Sequence, residues 1–181
     1  MNYKYQIGVM GPAGKEEYLF SKPDAKVYKT AEIVGRLVAK NKCVLFCGGK
    51  SGIMESAAKG AKSLGGITVG VVKGNDRNVA NKFIDIEIVT NSLTGADTSP
   101  LIMSCDGIII LGGGAGTLQE MTVAYRNKIP MIGLTSISGY GKKFAGKYLD
   151  ERKTIKIEKA DTPKQAVELL LSILDNKKVI K

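Results

Sequence analysis

The chain has 181 residues, 44% hydrophobic and 24% charged, which is the composition of a folded domain and excludes general disorder. It contains no histidine, so Ser-His-Asp and Cys-His catalysis and histidine-ligated zinc are excluded, and acid–base chemistry falls to carboxylates, Lys, Tyr or Cys. The net charge is +10, but only four of the 27 basic residues are arginines, which favours a solvated surface and small anionic ligands over nucleic acid.

The cysteines favour a reducing compartment, and the hydropathy profile favours a protein outside the membrane. Cys43, Cys47 and Cys105 match no metal-binding spacing and lie in or beside apolar segments, so they are predicted to be buried, reduced side chains. No apolar run reaches the ~20 residues of a membrane-spanning helix, and the first ten residues do not resemble a signal peptide. We therefore expect a cytoplasmic protein without a membrane partner.

The first half of the chain alternates short apolar runs with segments of helical periodicity. One helix has Val27, Ala31, Val34 and Val38 on one face, and the next has apolar residues from Ile53 to Leu64. The predicted elements are a strand over Tyr5–Met10, a helix over Ala25–Lys40 capped by Asp24, a strand over Cys43–Cys47, a helix from Ile53 that stops at Gly65-Gly66, a strand over Ile67–Val72, a polar loop over Lys73–Lys82 and an edge strand over Phe83–Val89.

The second half continues the same rhythm. Its predicted elements are a short helix capped by Ser99 with Pro100 at its first position and its end near Cys105, a strand over Gly107–Leu111, a helix over Thr117–Asn127, a strand over Pro130–Leu134, a loop over Ser136–Gly141, a strand over Thr154–Ile157 and a last helix opened by a capping box at Thr162–Gln165. The pattern predicts one domain over residues 1–181, with a doubly wound α/β fold and a mostly parallel sheet.

Glycine follows three of the predicted strands, in the segments Gly8–Gly14, Gly48–Gly52 and Gly112–Gly116. Tight turns use glycine for geometry alone, but glycine before a helix N-terminus also suits a phosphate at the carboxyl edge of a parallel sheet. None of the three fits a P-loop or Gly-x-Gly-x-x-Gly pattern. The predicted ligand contacts are Gly11, Gly14, Gly48, Gly49, Lys50, Ser51, Gly52, Gly113, Gly114, Ala115, Gly116 and Thr117.

Glu120 is the ionisable residue of most interest. It follows the third glycine loop by one helical turn, where it could face the crevice and act in catalysis. The alternative is a capping box over Thr117–Glu120, in which its carboxylate would bond back to the helix start. The spacing leaves both interpretations open.

Two motifs resemble those of the LONELY GUY (LOG) family. Residues 113–120, Gly-Gly-Ala-Gly-Thr-Leu-Gln-Glu, are similar to its Pro-Gly-Gly-x-Gly-Thr-x-x-Glu motif, with Gly112 in place of the proline. Residues 47–54 are similar to its second glycine motif. Together with Ile7–Gly11 and the order of elements, the resemblance covers about residues 5–135.

The resemblance implies a Rossmann-like, nucleotide-binding protein that forms a homodimer or a higher homo-oligomer. It implies an AMP-like ligand on the glycine loops, no required cofactor, and hydrolysis of a nucleoside 5′-monophosphate to base and ribose 5-phosphate, with Glu120 as the catalytic carboxylate. Proteins of this family often carry a lysine-decarboxylase label. No constellation for pyridoxal phosphate is visible in this chain, so we reject that activity.

The chain departs from the family at one important place. Asp97 and Thr98 occupy the positions of the family's Arg-Lys pair, and residues 74–81 are closer to a branch that includes molybdenum cofactor carriers, which bind a phosphorylated pterin without chemistry. Either Arg77 replaces the missing catalytic arginine, or catalysis is lost and ligand binding remains. A third hypothesis, a DNA-associated Rossmann protein, rests on the net positive charge and on a loose resemblance to DNA-processing proteins.

Overall fold

Seven parallel strands form one sheet in the computed structural model, which describes residues 3–14, 25–92 and 95–179. The elements in chain order are β1 (Gln6–Met10), α1 (Ala25–Lys40), β2 (Val44–Cys47), α2 (Ile53–Lys62), β3 (Thr68–Val72), β4 (Ile86–Val89), α3 (Thr98–Met103), β5 (Gly107–Ile110), α4 (Ala115–Arg126), β6 (Met131–Leu134), α5 (Tyr140–Phe144), β7 (Ile157–Ala160) and α6 (Pro163–Val179). The predicted helix cap Asp24 lies outside the described residues.

The strand order β4-β3-β2-β1-β5-β6-β7 places the first strand in the middle of the sheet. The chain moves outward from β1 to β4, then returns to pair β5 with the other side of β1, where Ile7 lies opposite both Leu45 and Gly107. This reversal confirms the predicted doubly wound α/β class. In such sheets the crevice at the reversal, beyond the carboxyl ends of the strands, is where ligands bind.

Helices cover both faces of the sheet, which explains why its central strands are almost wholly apolar. Ile109 and Leu111 pack with α1, α2 and α6, whereas Ile108 and Ile110 face α3, α4 and α5. The three cysteines are buried in these layers and unpaired, as predicted. Burial raises the pKa of the Cys47 thiol to about 12, so this thiol stays protonated at neutral pH.

Several helix boundaries correct the predictions. α3 begins at Thr98 after Asp97, so Ser99 and Pro100 lie inside the helix; proline is tolerated there because first-turn N–H groups need no helical acceptor. α4 begins two residues before the expected Thr117. α2 ends at Lys62, and Leu64 beyond it is 46% exposed, so Leu64 does not extend the buried face of that helix.

The region around the last strand also differs from the prediction. β7 spans Ile157–Ala160 rather than Thr154–Ile157, because pairing with β6 places Ile157 opposite Met131 and buries it. Thr154 lies before the strand, and its N–H donates to the Tyr125 hydroxyl at 2.9 Å. The short helix α5 overlaps the predicted loop Ser136–Gly141. Among the described helices, none is both long and apolar enough to cross a membrane.

Candidate functional site

A cleft of about 340 Å³ opens at the carboxyl edge of the sheet, where the loops after β2, β1 and β5 lie side by side. The volume suits a small organic ligand. Its lining residues are Gly11, Pro12, Ala13, Gly48, Lys50, Met54, Lys73, Gly95, Asp97, Thr98, Leu101, Gly114, Ala115, Gly116, Thr117, Gln119 and Glu120. The parallel topology therefore brings all three predicted glycine loops to one place.

The glycines of these loops fall into two groups. Gly52 and Gly113 have φ of 76° and 92°, the left-handed region that side chains disfavour, so turn geometry accounts for them. A Cβ at Gly114 or Gly116, in contrast, would meet no atom within 4 Å in the described part of the chain. Neither has a positive φ. Glycine at these two positions is not required by packing, and it leaves the surface above the start of α4 open.

The exposed first turn of α4 has the properties of an anion site. Its first helical hydrogen bond joins the Leu118 N–H to the Gly114 carbonyl at 2.9 Å, so the N–H groups of residues 115–117 have no helical acceptor. The positive end of the helix dipole lies at the same place. Ala115, Gly116 and Thr117 all line the cleft, so this turn can donate hydrogen bonds to a phosphate.

Two lysines enter the cleft from the opposite side of β1, Lys50 after β2 and Lys73 after β3. Asn81 fixes the first of these loops: its side-chain amide donates to the carbonyls of Gly49 at 2.9 Å and Lys50 at 2.7 Å. The Ser51 hydroxyl accepts from the Gly14 N–H at 3.1 Å, which joins the β1 and β2 loops. The side chains around Lys50 are thus held by hydrogen bonds between neighbouring loops.

Glu120 is half-buried, and its Oε2 is a buried acceptor without a hydrogen-bond partner among the described residues. Its pKa is raised to about 8, first by burial and then by the negative charge of Asp97, while the Thr117 hydroxyl lowers it. The carboxyl group is therefore mostly protonated at neutral pH. The capping-box hypothesis for Glu120 is wrong, because α4 begins after Gly114 and Glu120 is its sixth residue, beyond reach of the helix start.

Some of the predicted contacts line the cleft and others do not. Those that line it are Gly11, Gly48, Lys50, Gly114, Ala115, Gly116, Thr117 and Glu120. Those that lie outside the lining are Gly14, Gly49, Ser51, Gly52, Gly113 and Arg77. Arg77 is exposed in the loop after β3, near the Glu87 carboxylate, which accepts N–H bonds from residues 78–80 of the same loop.

Several residues that the fold brings into the cleft are not among the predicted contacts. Lys73, Gly95 and Leu101 belong to no motif, whereas Met54 and Gln119 lie within the two quoted glycine motifs but were not predicted to contact a ligand. Lys73 had a detectable signal, since it directly follows the apolar strand β3 at the edge where the ligand crevice is expected. Asp97 and Thr98, noted only as replacements of a family pair, both line the cleft.

The sheet reversal and the glycine-lined cleft define a Rossmann-like doubly wound protein. The model of the SLOG cluster4 family matches residues 4–167, and this chain belongs to that family. An uncharacterised protein of Archaeoglobus fulgidus is 39% identical over 121 residues, which cover 67% of this chain and 74% of that protein.

Solved structures with the same architecture include molybdenum cofactor proteins. The protein TM1055 is 26% identical with a TM-score of 0.85, over 93% of this chain and 99% of that one. A molybdenum cofactor binding protein of Rippkaea orientalis is 31% identical with a TM-score of 0.80, over 94% and 98% of the two chains. The molybdenum cofactor carrier protein of Chlamydomonas reinhardtii is 28% identical with a TM-score of 0.79, over 95% and 99%.

The predicted relationship to a LOG-related, Rossmann-like group near the molybdenum cofactor carriers is confirmed.

DNA processing protein A of Helicobacter pylori is only 16% identical, with a TM-score of 0.64 over 93% of this chain and 80% of that one. At that level the likeness concerns the fold alone.

Proposed function

We propose that the cleft binds a phosphorylated heterocycle of pterin or nucleotide type and holds it without breaking a covalent bond. The observation that carries this proposal is the first turn of α4, which Gly114 and Gly116 leave open although packing does not require glycine there. Lys50 and Lys73 add positive charge in the same cleft. The likeness to molybdenum cofactor binding and carrier proteins supports a pterin as the heterocycle.

The shape of the cleft suits such a ligand. Its apolar lining residues, among them Pro12, Met54 and Leu101, give a flat ring surfaces to contact, while the α4 turn and the lysines attract the phosphate. The overall charge of +10 raises the local concentration of anions. A homodimer or higher oligomer and a cytoplasmic location stay predictions.

Hydrolysis of a nucleoside monophosphate is the second candidate, and the position of Glu120 in the cleft is the observation that favours it. Stabilising an oxocarbenium-like sugar requires a charged carboxylate, whereas the raised pKa keeps Glu120 mostly neutral in the free protein at pH 7. Asp97 replaces the family's arginine, and Arg77 does not line the cleft. We therefore expect no release of ribose 5-phosphate from AMP; release that Glu120→Ala abolishes would establish the hydrolase instead.

Calorimetric titration tests the binding proposal. We expect 6-hydroxymethylpterin phosphate or a nucleoside monophosphate to bind, and Lys50→Ala to weaken that binding by at least tenfold, because one charge-assisted contact to phosphate is worth roughly 1.5–3 kcal/mol. Lys29→Ala is the matched control: it removes the same charge from an exposed position in α1.

Two results would overturn the proposal. One is the absence of binding for every phosphorylated heterocycle tested at millimolar concentration. The other is an equal loss of affinity in Lys50→Ala and Lys29→Ala, which would assign the effect to overall charge rather than to the cleft.

A further inference from the structure

We propose that Glu120 and Asp97 form an acceptor pair that recognises the donor edge of the ligand's heterocycle, the adjacent ring N–H and amino group that guanine and pterins share. This inference rests on the proposed function, because it assumes that a phosphorylated heterocycle occupies the cleft. It adds the class of heterocycle and the residues that select it.

The two carboxyl groups come from neighbouring helices and face the same space. Asp97 immediately precedes α3, Glu120 lies in α4, the two helices pack together, and both residues line the cleft. Asp97 Oδ1 accepts the Gly95 N–H at 2.9 Å, which fixes its side chain. The negative charge of Asp97 acts on Glu120, as expected for two acidic groups that share a small volume.

The buried Oε2 of Glu120 is the feature that calls for a ligand donor. It has no hydrogen-bond partner among the described residues. An acceptor left in that state is unfavourable, and a donor from a bound molecule satisfies it. Buried polar atoms of this kind are rare in folded proteins, so each calls for an explanation.

The charges of the cleft are separated across β1. Lys50 and Lys73 follow β2 and β3 on one side of that strand, whereas Asp97 and Glu120 belong to α3 and α4, which flank β5 on the other. The first turn of α4 and the two lysines suit the phosphate, whereas the carboxyl pair favours the opposite chemistry, a group rich in N–H donors.

The edge shared by guanine and pterins has that chemistry. Its ring N–H and its exocyclic amino group point the same way, so one carboxylate can accept both in a bidentate arrangement. Hypoxanthine lacks the amino group, and adenine presents a ring acceptor beside its amino group. Each would leave at least one carboxylate oxygen unpartnered, and an unpartnered buried acceptor discriminates strongly between ligands.

Recognition by the pair couples binding to a proton. To accept two donors Glu120 must be ionised, so the proton that it holds in the free protein passes to the solvent. The groups that face Glu120 are the Asp97 carboxylate, the Thr117 hydroxyl and, behind it, the neutral thiols of Cys47 and Cys105, with Lys50 and Lys73 in the same cleft. Binding of a guanine or pterin ligand near neutral pH should therefore release close to one proton.

Titration of GMP, IMP and AMP against the wild type and Glu120→Gln tests the inference. We expect the wild type to bind GMP at least tenfold more tightly than IMP or AMP. Glu120→Gln should weaken GMP binding by at least tenfold without weakening AMP binding, because an amide offers one donor and one acceptor, the complement of the adenine edge. Glu151→Gln, which makes the same change at an exposed site, is the control.

The outcomes separate this inference from the proposed function. Equal affinities of the wild type for GMP and AMP, or the same loss for both ligands in Glu120→Gln, would overturn the inference and leave phosphate binding intact. No binding of any ligand would overturn the proposed function itself. Titrations in buffers of different ionisation enthalpy add a second measurement, in which GMP should release a proton from the wild type and not from Glu120→Gln. Asp97→Asn is the corresponding variant for the second carboxylate of the pair.

Discussion

At the scale of single residues, Glu120 shows how burial determines the protonation state of a side chain. Its position in α4 places the carboxyl group in the cleft, where it is largely shielded from solvent and lies near the negative charge of Asp97. Both effects favour the neutral acid, and the Thr117 hydroxyl offsets them only in part. The residue is therefore held in a state that the unfolded chain would not adopt at neutral pH, and stability must depend on pH through it.

We expect Glu120→Gln to stabilise the free protein increasingly as pH rises. The pKa of Glu120 in the folded protein, about 8, exceeds the ordinary glutamate value of 4.5, so the folded protein holds a proton that the unfolded chain loses. The stability of the wild type should fall between these values, and the full cost should be present above pH 8. Glutamine removes that cost, a gain of up to ~5 kcal/mol at pH 8.5 relative to pH 4.

Urea unfolding of both proteins at pH 4, 6.5 and 8.5 measures this difference. Glu151→Gln controls for the change in net charge. Parallel pH profiles for the wild type and Glu120→Gln would contradict the raised pKa.

At the scale of elements, the glycines of the loops differ from a glycine in the first turn of α4 in what the fold requires of them. Gly52 and Gly113 have positive φ angles that the loops require. Gly116 is exposed, helical and free of close neighbours in the described structure. Glycine in a helix is less stable than alanine by ~1 kcal/mol, so Gly116 costs the fold stability without a packing reason. Under the proposed function, close approach of a ligand to the backbone accounts for it.

We therefore expect Gly116→Ala to act in opposite directions on stability and on binding. The free energy of unfolding should rise by up to ~1 kcal/mol, while the affinity for the phosphorylated ligand should fall by about tenfold, since the new methyl group occupies space above the α4 turn. Denaturant unfolding and calorimetry on one sample measure both quantities. A destabilised variant, or one with unchanged affinity, would contradict this account.

At the scale of the whole molecule, the cleft joins segments that the chain order keeps apart. Loops after β1, β2 and β3 meet α3 and α4 only because β1 lies between β2 and β5 in the sheet. A ligand that contacts both sides binds the folded state and has no site on the unfolded chain. Binding must therefore raise the global stability by mass action.

The ligand should accordingly raise the midpoint of thermal unfolding. At a free concentration of 100 times its Kd the gain is ~2.7 kcal/mol, which corresponds to roughly 5–10 °C for a chain of this size. Differential scanning calorimetry with and without 6-hydroxymethylpterin phosphate measures the shift. Lys50→Ala should show a smaller shift at the same ligand concentration and Lys29→Ala the full one; identical shifts in all three proteins would place the ligand outside the cleft.

The sequence alone determined the architecture. Period-2 and period-3.6 patterns and glycine after the apolar runs depend on local contacts, so they predicted the α/β class, the bounds of α1, the edge position of β4 and the meeting of three glycine loops. The last strand was misplaced by three residues, because its bounds depend on pairing with β6.

Only the tertiary structure decided the chemistry of the site. Lys73 follows an apolar strand, which is a local signal, but its meeting with Asp97 in one cleft depends on strand order, which no local pattern encodes. Arg77 was a candidate to replace the family's arginine, but the loop after β3 places it outside the cleft lining and near Glu87. The state of Glu120 likewise depends on burial and on Asp97, and both follow from the packing of the helices. The spacing, which allowed either a capping box or a catalytic carboxylate, therefore could not reveal an unpartnered, mostly protonated carboxyl group.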